Sequence, residues 1–122
     1  MTLLIVDDEA RIRDLIRKYA AFEGYNVEEA SNGMAAIEKC RQKNYDLIIM
    51  DVMMPVQGGR EATRAIRAMD RPDAKTIPIF AMTANTFAAD RKKCYDAGMS
   101  GYIPKPIDLE TITHVLEEET GE

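Results

Sequence analysis

Four short apolar runs punctuate the chain: Leu3-Leu4-Ile5-Val6, Leu47-Ile48-Ile49-Met50, Ile77-Pro78-Ile79-Phe80-Ala81-Met82 and Tyr102-Ile103-Pro104. Runs of this length, closed by polar residues, read as strands buried on both faces, the habit of a parallel sheet. Residues 26–30, Asn-Val-Glu-Glu-Ala, make a fifth strand whose polarity predicts a place at the sheet edge. Between the strands, apolar residues recur at helical spacing. Ile12, Leu15, Ile16 and Tyr19 form one such set, with Arg11, Arg13, Arg17 and Lys18 on the other faces and Gly24 as the stop. Asn32-Gly33 opens a helix through Ile37 and Cys40. Gly58-Gly59 reads as a flexible loop before a helix carrying Ala62, Ala65, Ile66 and Met69, and residues 70–76 read as a surface loop. Phe87, Arg91, Cys94 and Tyr95 mark a fourth helix that ends at Gly98; Leu109, Ile112, Val115 and Leu116 mark the last, with Asp108 as N-cap. Strand and helix alternate five times without a linker or repeat. A single domain over residues 1–122 is expected, an α/β fold in which right-handed crossovers put helices on both faces of a doubly wound parallel sheet.

Each apolar run ends in a chemically pointed residue. The first closes on Asp7-Asp8, the second on Asp51, the third on Thr83 and the fourth on Lys105-Pro106. Open α/β sheets hold their ligand crevice outside the carboxyl ends of the strands, so parallel strands bring these side chains to one edge. Three neighbouring carboxylates repel one another unless a cation joins them. Magnesium, a hard ion that favours oxygen, suits such a set. Asp8 and Asp51 are assigned as direct ligands, Asp7 as a ligand through water and the Met53 carbonyl as a further ligand. Asp51 keeps a second oxygen free to attack phosphorus. Lys105 neutralises charge on the phosphoryl oxygens, and Thr83 hydrogen-bonds one of them after transfer, with Ala84 leaving room beside it. Taken singly, each residue has an ordinary reading: Asp7-Asp8 as a helix cap, Thr83 as a strand residue, Lys105 as a solvated charge. All of them together, each at the end of its own apolar run, are harder to read that way. The Lys105–Pro106 bond is a candidate for the cis form, which would aim the amine into the crevice; the plain alternative is a trans proline opening a loop.

A chain of 122 residues is enough for one domain with a real core. Its 16 basic and 21 acidic residues give a net charge of -5, which argues against direct nucleic-acid binding or an anionic-membrane surface. No apolar stretch is long enough to span a bilayer, and nothing at the N-terminus reads as a signal peptide. Cys40 and Cys94 lie in predicted helices without metal-site spacing and read as free thiols of a cytoplasmic protein. His114, the only histidine, falls in the last helix, away from the acidic edge, and is not a phosphoryl donor.

The motifs Leu4-Ile5-Val6-Asp7-Asp8-Glu9, Asp51-Val52-Met53-Met54-Pro55, Met82-Thr83-Ala84 and Tyr102-Ile103-Pro104-Lys105-Pro106, in this order and spacing, resemble the receiver domain of two-component response regulators over the whole chain. The resemblance implies a flavodoxin-like sheet of strand order 2-1-3-4-5. It implies that Asp51 takes phosphate from a histidine kinase or histidine phosphotransfer protein, that Asp7 and Asp8 form the acidic metal pocket for Mg2+, that Lys105 contacts the phosphate, and that Thr83 and Tyr102 are the switch hydroxyl and switch aromatic. A downstream protein would be met on the face of the fourth helix, last strand and last helix, where Arg91-Lys92-Lys93 is a candidate interaction patch. Gln57-Gly58-Gly59 departs from the family's usual residues and is expected to loosen its loop. Met53 and Asn85 are placed at the mouth of the site, with influence on phosphate lifetime. Met82-Thr83-Ala84-Asn85 with Lys105-Pro106-Ile107 is similar to the receivers of hybrid histidine kinases.

The rival functions are weaker. A metal-dependent aspartyl-phosphate phosphatase would want a general acid two residues after Asp51, where Met53 stands. A flavin module would want a neutral phosphate loop where Asp7-Asp8-Glu9 stands. A receiver used only for docking would have no need of the intact acidic set. The reading is of a signalling switch, not a turnover enzyme on small substrates.

Overall fold

The computed structural model describes residues 1–54, 57–84 and 87–120. The elements are β1 (Thr2–Val6), α1 (Ala10–Phe22), β2 (Asn26–Ala30), α2 (Gly33–Gln42), β3 (Leu47–Asp51), α3 (Gly59–Arg67), a short 3₁₀ helix (Pro72–Lys75), β4 (Ile79–Thr83), α4 (Ala88–Asp96), β5 (Gly101–Pro104) and α5 (Leu109–Thr120). The strands form one parallel sheet in the order β2-β1-β3-β4-β5. The fold is the expected doubly wound α/β sheet, and the polar strand β2 is at its edge.

Strand alternation divides the core in two. Leu4, Val6, Ile48, Met50, Ile79 and Ala81 point to the face covered by α2, α3 and α4, where they meet Ile37, Cys40, Ala62, Ile66 and Cys94. Leu3, Ile5, Leu47, Ile49, Met82 and Ile103 point to the opposite face, against Ile16 and Ala20 of α1 and Ile112, Val115 and Leu116 of α5. Burying both faces is why Leu3–Val6 of β1 and Leu47–Met50 of β3 carry no polar residue. The helix ends obey local chemistry. The Asn32 side chain accepts the Ala35 N–H (2.8 Å) and Asp108 Oδ1 accepts the Thr111 N–H (2.7 Å), so each occupies an N-cap. Gly24 and Gly98 take φ of 92° and 105° just after α1 and α4, a region that favours glycine.

Some expectations need correction. The stretch 70–76 is not a plain loop, because Arg71 folds it into the 3₁₀ turn by clasping Asp73 through two hydrogen bonds (2.8 and 2.9 Å). Gly58-Gly59 is not a flexible linker: Gly58 is the N-cap and Gly59 the first residue of α3. Helical spacing alone also overstates burial at Phe87, Tyr95 and Leu109, which are exposed although Cys94 and Ile112 beside them are buried. No helix among the described residues is long and apolar enough to cross a membrane.

Candidate functional site at the carboxyl edge

Chain order reverses between β1 and β3: β2 lies on one side of β1 and β3 on the other. The crevice therefore opens there. Register then lines up the chemistry. Val6 pairs with Met50, Asp51 with Met82 and Thr83 with Pro104, so the residues just past each pairing form one row across the strand tips. Asp7 is fully buried, Asp51 and Thr83 nearly so, and Asp8 is exposed. One oxygen from each of Asp7, Asp8 and Asp51 lies within 4.8 Å of the others. Lys105 Nζ stands 3.3 Å from Asp51 Oδ1 and 3.4 Å from Asp7 Oδ2. The Lys105–Pro106 peptide is cis, as anticipated.

Two neighbouring backbone amides orient the carboxylates. Glu9 N–H donates to Asp7 Oδ1 (2.9 Å) and Met53 N–H to Asp51 Oδ1 (3.3 Å). Burial raises the pKa of Asp7, against the lowering pull of the Glu9 amide and Lys105. Burial raises that of Asp51 too, and the charge of Asp7 adds to it. Burial pulls Lys105 down, but the charges of Asp51 and Asp7 together outweigh it and its pKa is raised. Crowded acids of this kind gain from a bound cation, and their oxygen-only donor set fits a magnesium ion. Thr83 ends β4, and its carbonyl accepts the Lys105 N–H (2.9 Å), tying the hydroxyl-bearing and amine-bearing segments together. Tyr102 lies half-buried on the outermost strand β5, with its hydroxyl accepting from Arg91 Nη1 (3.2 Å) and the Arg91 guanidinium 5.6 Å from its ring centroid. The Met53 side chain is exposed beside an open cleft of about 470 Å³ lined also by Met54, Gln57, Arg60 and Glu61. Asn85 and Pro55, both singled out from sequence, lie outside the described residues.

Three features of the site were not foreseen. Arg13 is not on a solvent face: its Nη1 donates to the Asp7 carbonyl (2.7 Å) and its Nε to Glu29 (3.1 Å), clamping the β1–α1 turn to the end of β2. Gly59 lets α3 press on the strand tip, since a Cβ there would come within 2.2 Å of the Asp51 carbonyl oxygen. The Gln57 carbonyl, expected in a loosened loop, accepts the Gly33 N–H (3.2 Å) and is held against α2. The signal for Arg13 was its position one helical turn after Asp8-Glu9; helical periodicity sorted it with the solvated charges instead. His114 is exposed on α5, paired with Glu118 (3.1 Å) and remote in the fold from the row of acids.

Comparison with known proteins agrees with this geometry. The family described as response regulator receiver domain matches residues 3–117. The transcriptional regulatory protein ResD of Bacillus subtilis is 46% identical over 104 residues, covering 85% of this chain and 41% of ResD. The response regulator MprA of Mycobacterium leprae is 36% identical over 112 residues, covering 92% of this chain and 47% of MprA. The chain thus spans less than half the length of these relatives. Among solved structures, the chemotaxis response regulator CheY4 of Vibrio cholerae aligns with a TM-score of 0.90 at 32% identity over 97% of each chain. The receiver domain of the sensor histidine kinase PA1611 of Pseudomonas aeruginosa, solved with a magnesium ion coordinated in its active site cleft, aligns with a TM-score of 0.87 at 33% identity over 99% of this chain and 98% of that one.

Proposed function

Because the chain belongs to the response regulator receiver domain family, we propose that it is a phosphorylation switch of two-component signalling that takes its phosphoryl group on Asp51 from a histidine kinase or histidine phosphotransfer protein. The observation that carries this is the cluster of Asp7, Asp8 and Asp51 within 4.8 Å, faced by Lys105 at 3.3 Å from Asp51. Asp8, Asp51 and the Met53 carbonyl would hold Mg2+, with Asp7 acting through water, and the ion would supply positive charge for the incoming phosphoryl oxygens. The magnesium in the receiver of PA1611 supports that assignment.

The chain's own residues carry the transfer. An oxygen of Asp51 attacks phosphorus; the phosphorus–nitrogen bond of the donor's phosphohistidine breaks, and the imidazole nitrogen keeps the electron pair. Lys105 already faces that oxygen, so its ammonium stabilises the charge carried through an in-line transfer without moving far. Thr83 moves toward a phosphoryl oxygen and donates its hydroxyl. That motion empties space on its outer side, into which Tyr102 turns, reshaping the surface of α4, β5 and α5 for a downstream protein. Phosphate biases this two-state element by the contacts it makes in one state only, typically ~1–3 kcal/mol.

Incubation with acetyl phosphate and magnesium should add one phosphate to the wild type and none to Asp51→Asn. Label mapped to another residue of the wild type would sink the assignment. Thr83→Ala should still be phosphorylated yet lose most of the amide-shift response over residues 87–106. Turnover of a small phosphate ester would favour the phosphatase alternative.

A further inference from the structure

Among the described residues, the Arg60 guanidinium makes no hydrogen bond or ion pair, although it stands close to the tip of β3. Arg60 is the second residue of α3 and is half-buried. It lines the open cleft of about 470 Å³ whose inner end is Val52 and Met53, the residues that follow Asp51. Glu61 lines the same cleft, but adjacent residues of a helix do not face each other. The Glu61 carboxylate lies instead over Gly58, where a Cβ would come within 2.6 Å of its Oε2. On its other side Arg60 approaches α4. Burial raises the pKa of Cys94 there, the Arg60 charge pulls it down and Asp90 pushes it up again. Arg60 thus stands between the cleft and the start of α4 with its cationic fork unmatched.

Lys105 is placed differently. It is held by Asp51 (3.3 Å) and Asp7 (3.4 Å), inside the crevice, where its charge serves the phosphoryl group. In an in-line transfer the leaving group departs on the opposite side of phosphorus, away from Asp51. Donors differ in the charge of that group. An acyl phosphate breaks a phosphorus–oxygen bond; the acyl oxygen keeps the electron pair and departs as a carboxylate. A phosphoramidate, protonated on nitrogen, breaks a phosphorus–nitrogen bond; the nitrogen keeps the pair and departs as neutral ammonia. The first alone develops negative charge outside the crevice. Of the residues that line the cleft, Arg60 is the basic one. Its planar fork can give a carboxylate two parallel hydrogen bonds, and a cation aimed at developing charge lowers the barrier to the step.

We propose, resting on the reading of Asp51 as acceptor, that Arg60 is a specificity-determining residue of the phosphotransfer: it holds a departing carboxylate in this cleft and so selects donors with an anionic leaving group over donors with a neutral one. Arg60 has no part in holding the metal or the phosphoryl group, which fall to the acids, Lys105 and Thr83. Its contribution therefore appears in the ratio of rates with two donors, which cancels any change in the reactivity of Asp51 itself.

The test is the second-order rate of phosphate incorporation into the full chain, read by intact mass at saturating magnesium, with acetyl phosphate and with phosphoramidate. Arg60→Gln should slow acetyl phosphate roughly tenfold and phosphoramidate less than about twofold, since a partly exposed cation is screened and acts more weakly than an enclosed one. Arg60→Lys, which keeps the charge without the fork, should recover part of the acetyl phosphate rate. Arg64→Gln removes an exposed arginine one turn further along α3 and should leave both rates unchanged. Thermal unfolding shows that each variant is folded. Equal loss with both donors, or loss with neither, overturns the proposal. So does an Arg64→Gln effect as large as that of Arg60→Gln, which would make the charge of the helix surface responsible and not the fork in the cleft. A folded wild type labelled by neither donor overturns the reading of Asp51 itself, and this proposal with it.

Discussion

Two groups of charged residues hold this molecule's strand ends and loops, and they are built on opposite terms. At the carboxyl edge, Asp7, Asp8 and Asp51 crowd around one lysine, and burial raises the pKa of Asp7 and Asp51. At the far side of α2, the Arg71 guanidinium is matched to acceptors. It donates to the Cys40 and Lys43 carbonyls, to Asn44 Oδ1 and to Asp73, whose carboxyl it holds below the usual range. The first cluster has charge left over and the second has none. A site that leaves like charges unmatched is one whose missing partner arrives with function; a fully matched cluster serves the fold.

The widest gap between the two should appear on removing one member of each. Arg71→Ala strips hydrogen bonds from the Cys40 and Lys43 carbonyls and frees the 3₁₀ turn, and should cost roughly 2–3 kcal/mol in denaturant unfolding. A loss below ~0.5 kcal/mol would show that the clasp is ornamental. Asp7→Asn should run the other way in metal-free buffer, stabilising the chain by roughly 1 kcal/mol, because a buried like charge is gone while the Glu9 amide keeps an acceptor. Magnesium should raise the melting temperature of the wild type and leave Asp7→Asn nearly unmoved. Equal magnesium stabilisation of both proteins would contradict the shared role of the three acids.

Arg13 sharpens the comparison because it belongs to both kinds of cluster: its Nε is matched to Glu29 and its Nη1 to the backbone of Asp7. Arg13→Ala should lower magnesium affinity several-fold, read by titrating the amide shifts of Asp7 and Asp8, at a stability cost of about 1 kcal/mol. Arg13→Lys, which keeps the charge but not the two-pronged donor, should recover stability better than affinity. If the lysine restores both equally, charge alone was acting and the clamp has no positioning role.

The legibility of each part in the sequence depends on what holds that part in place. β1, β3 and β4 announce themselves because both of their faces are buried, so Leu3–Val6 and Leu47–Met50 carry no polar interruption. Asp7, Asp51, Thr83 and Lys105 were legible for the same reason: a polar residue that ends such a run has only the strand tip to occupy. The clasp of Arg71 was not legible, since it joins residues 27 to 31 positions apart and two of those acceptors are backbone carbonyls that any residue supplies. Neither was the packing of Gly59, read as part of a flexible loop when it is a point of close approach to Asp51. Exposure at Phe87, Tyr95 and Leu109 also escaped periodicity, which reports which residues share a helix face but not whether anything covers that face.

The smallest effect should come from a matched cluster at the surface. Glu28 on the edge strand accepts from Lys43 and from the Tyr45 hydroxyl (2.9 Å), with Lys39 3.7 Å away. The Lys43 and Tyr45 hydrogen bonds lower its pKa. A depressed carboxylate contributes stability that is complete above its unfolded value, 4.5, and is lost as pH falls through the lower folded value. Because the side chain is 32% exposed, solvent screens the gain, and Glu28→Gln should cost only about 0.5 kcal/mol at neutral pH. That difference should shrink toward zero in acid, where both side chains are uncharged, and should shrink with salt. The measurement is paired urea unfolding of the two proteins between neutral pH and the acid limit of folding. A Glu28→Gln penalty that stayed constant down to that limit would mean the carboxylate's charge is irrelevant and its contacts with Tyr45 and Lys43 are shape alone. A penalty approaching that of Arg71→Ala would erase the distinction between a carboxylate paired at the surface and a guanidinium clasped by several acceptors.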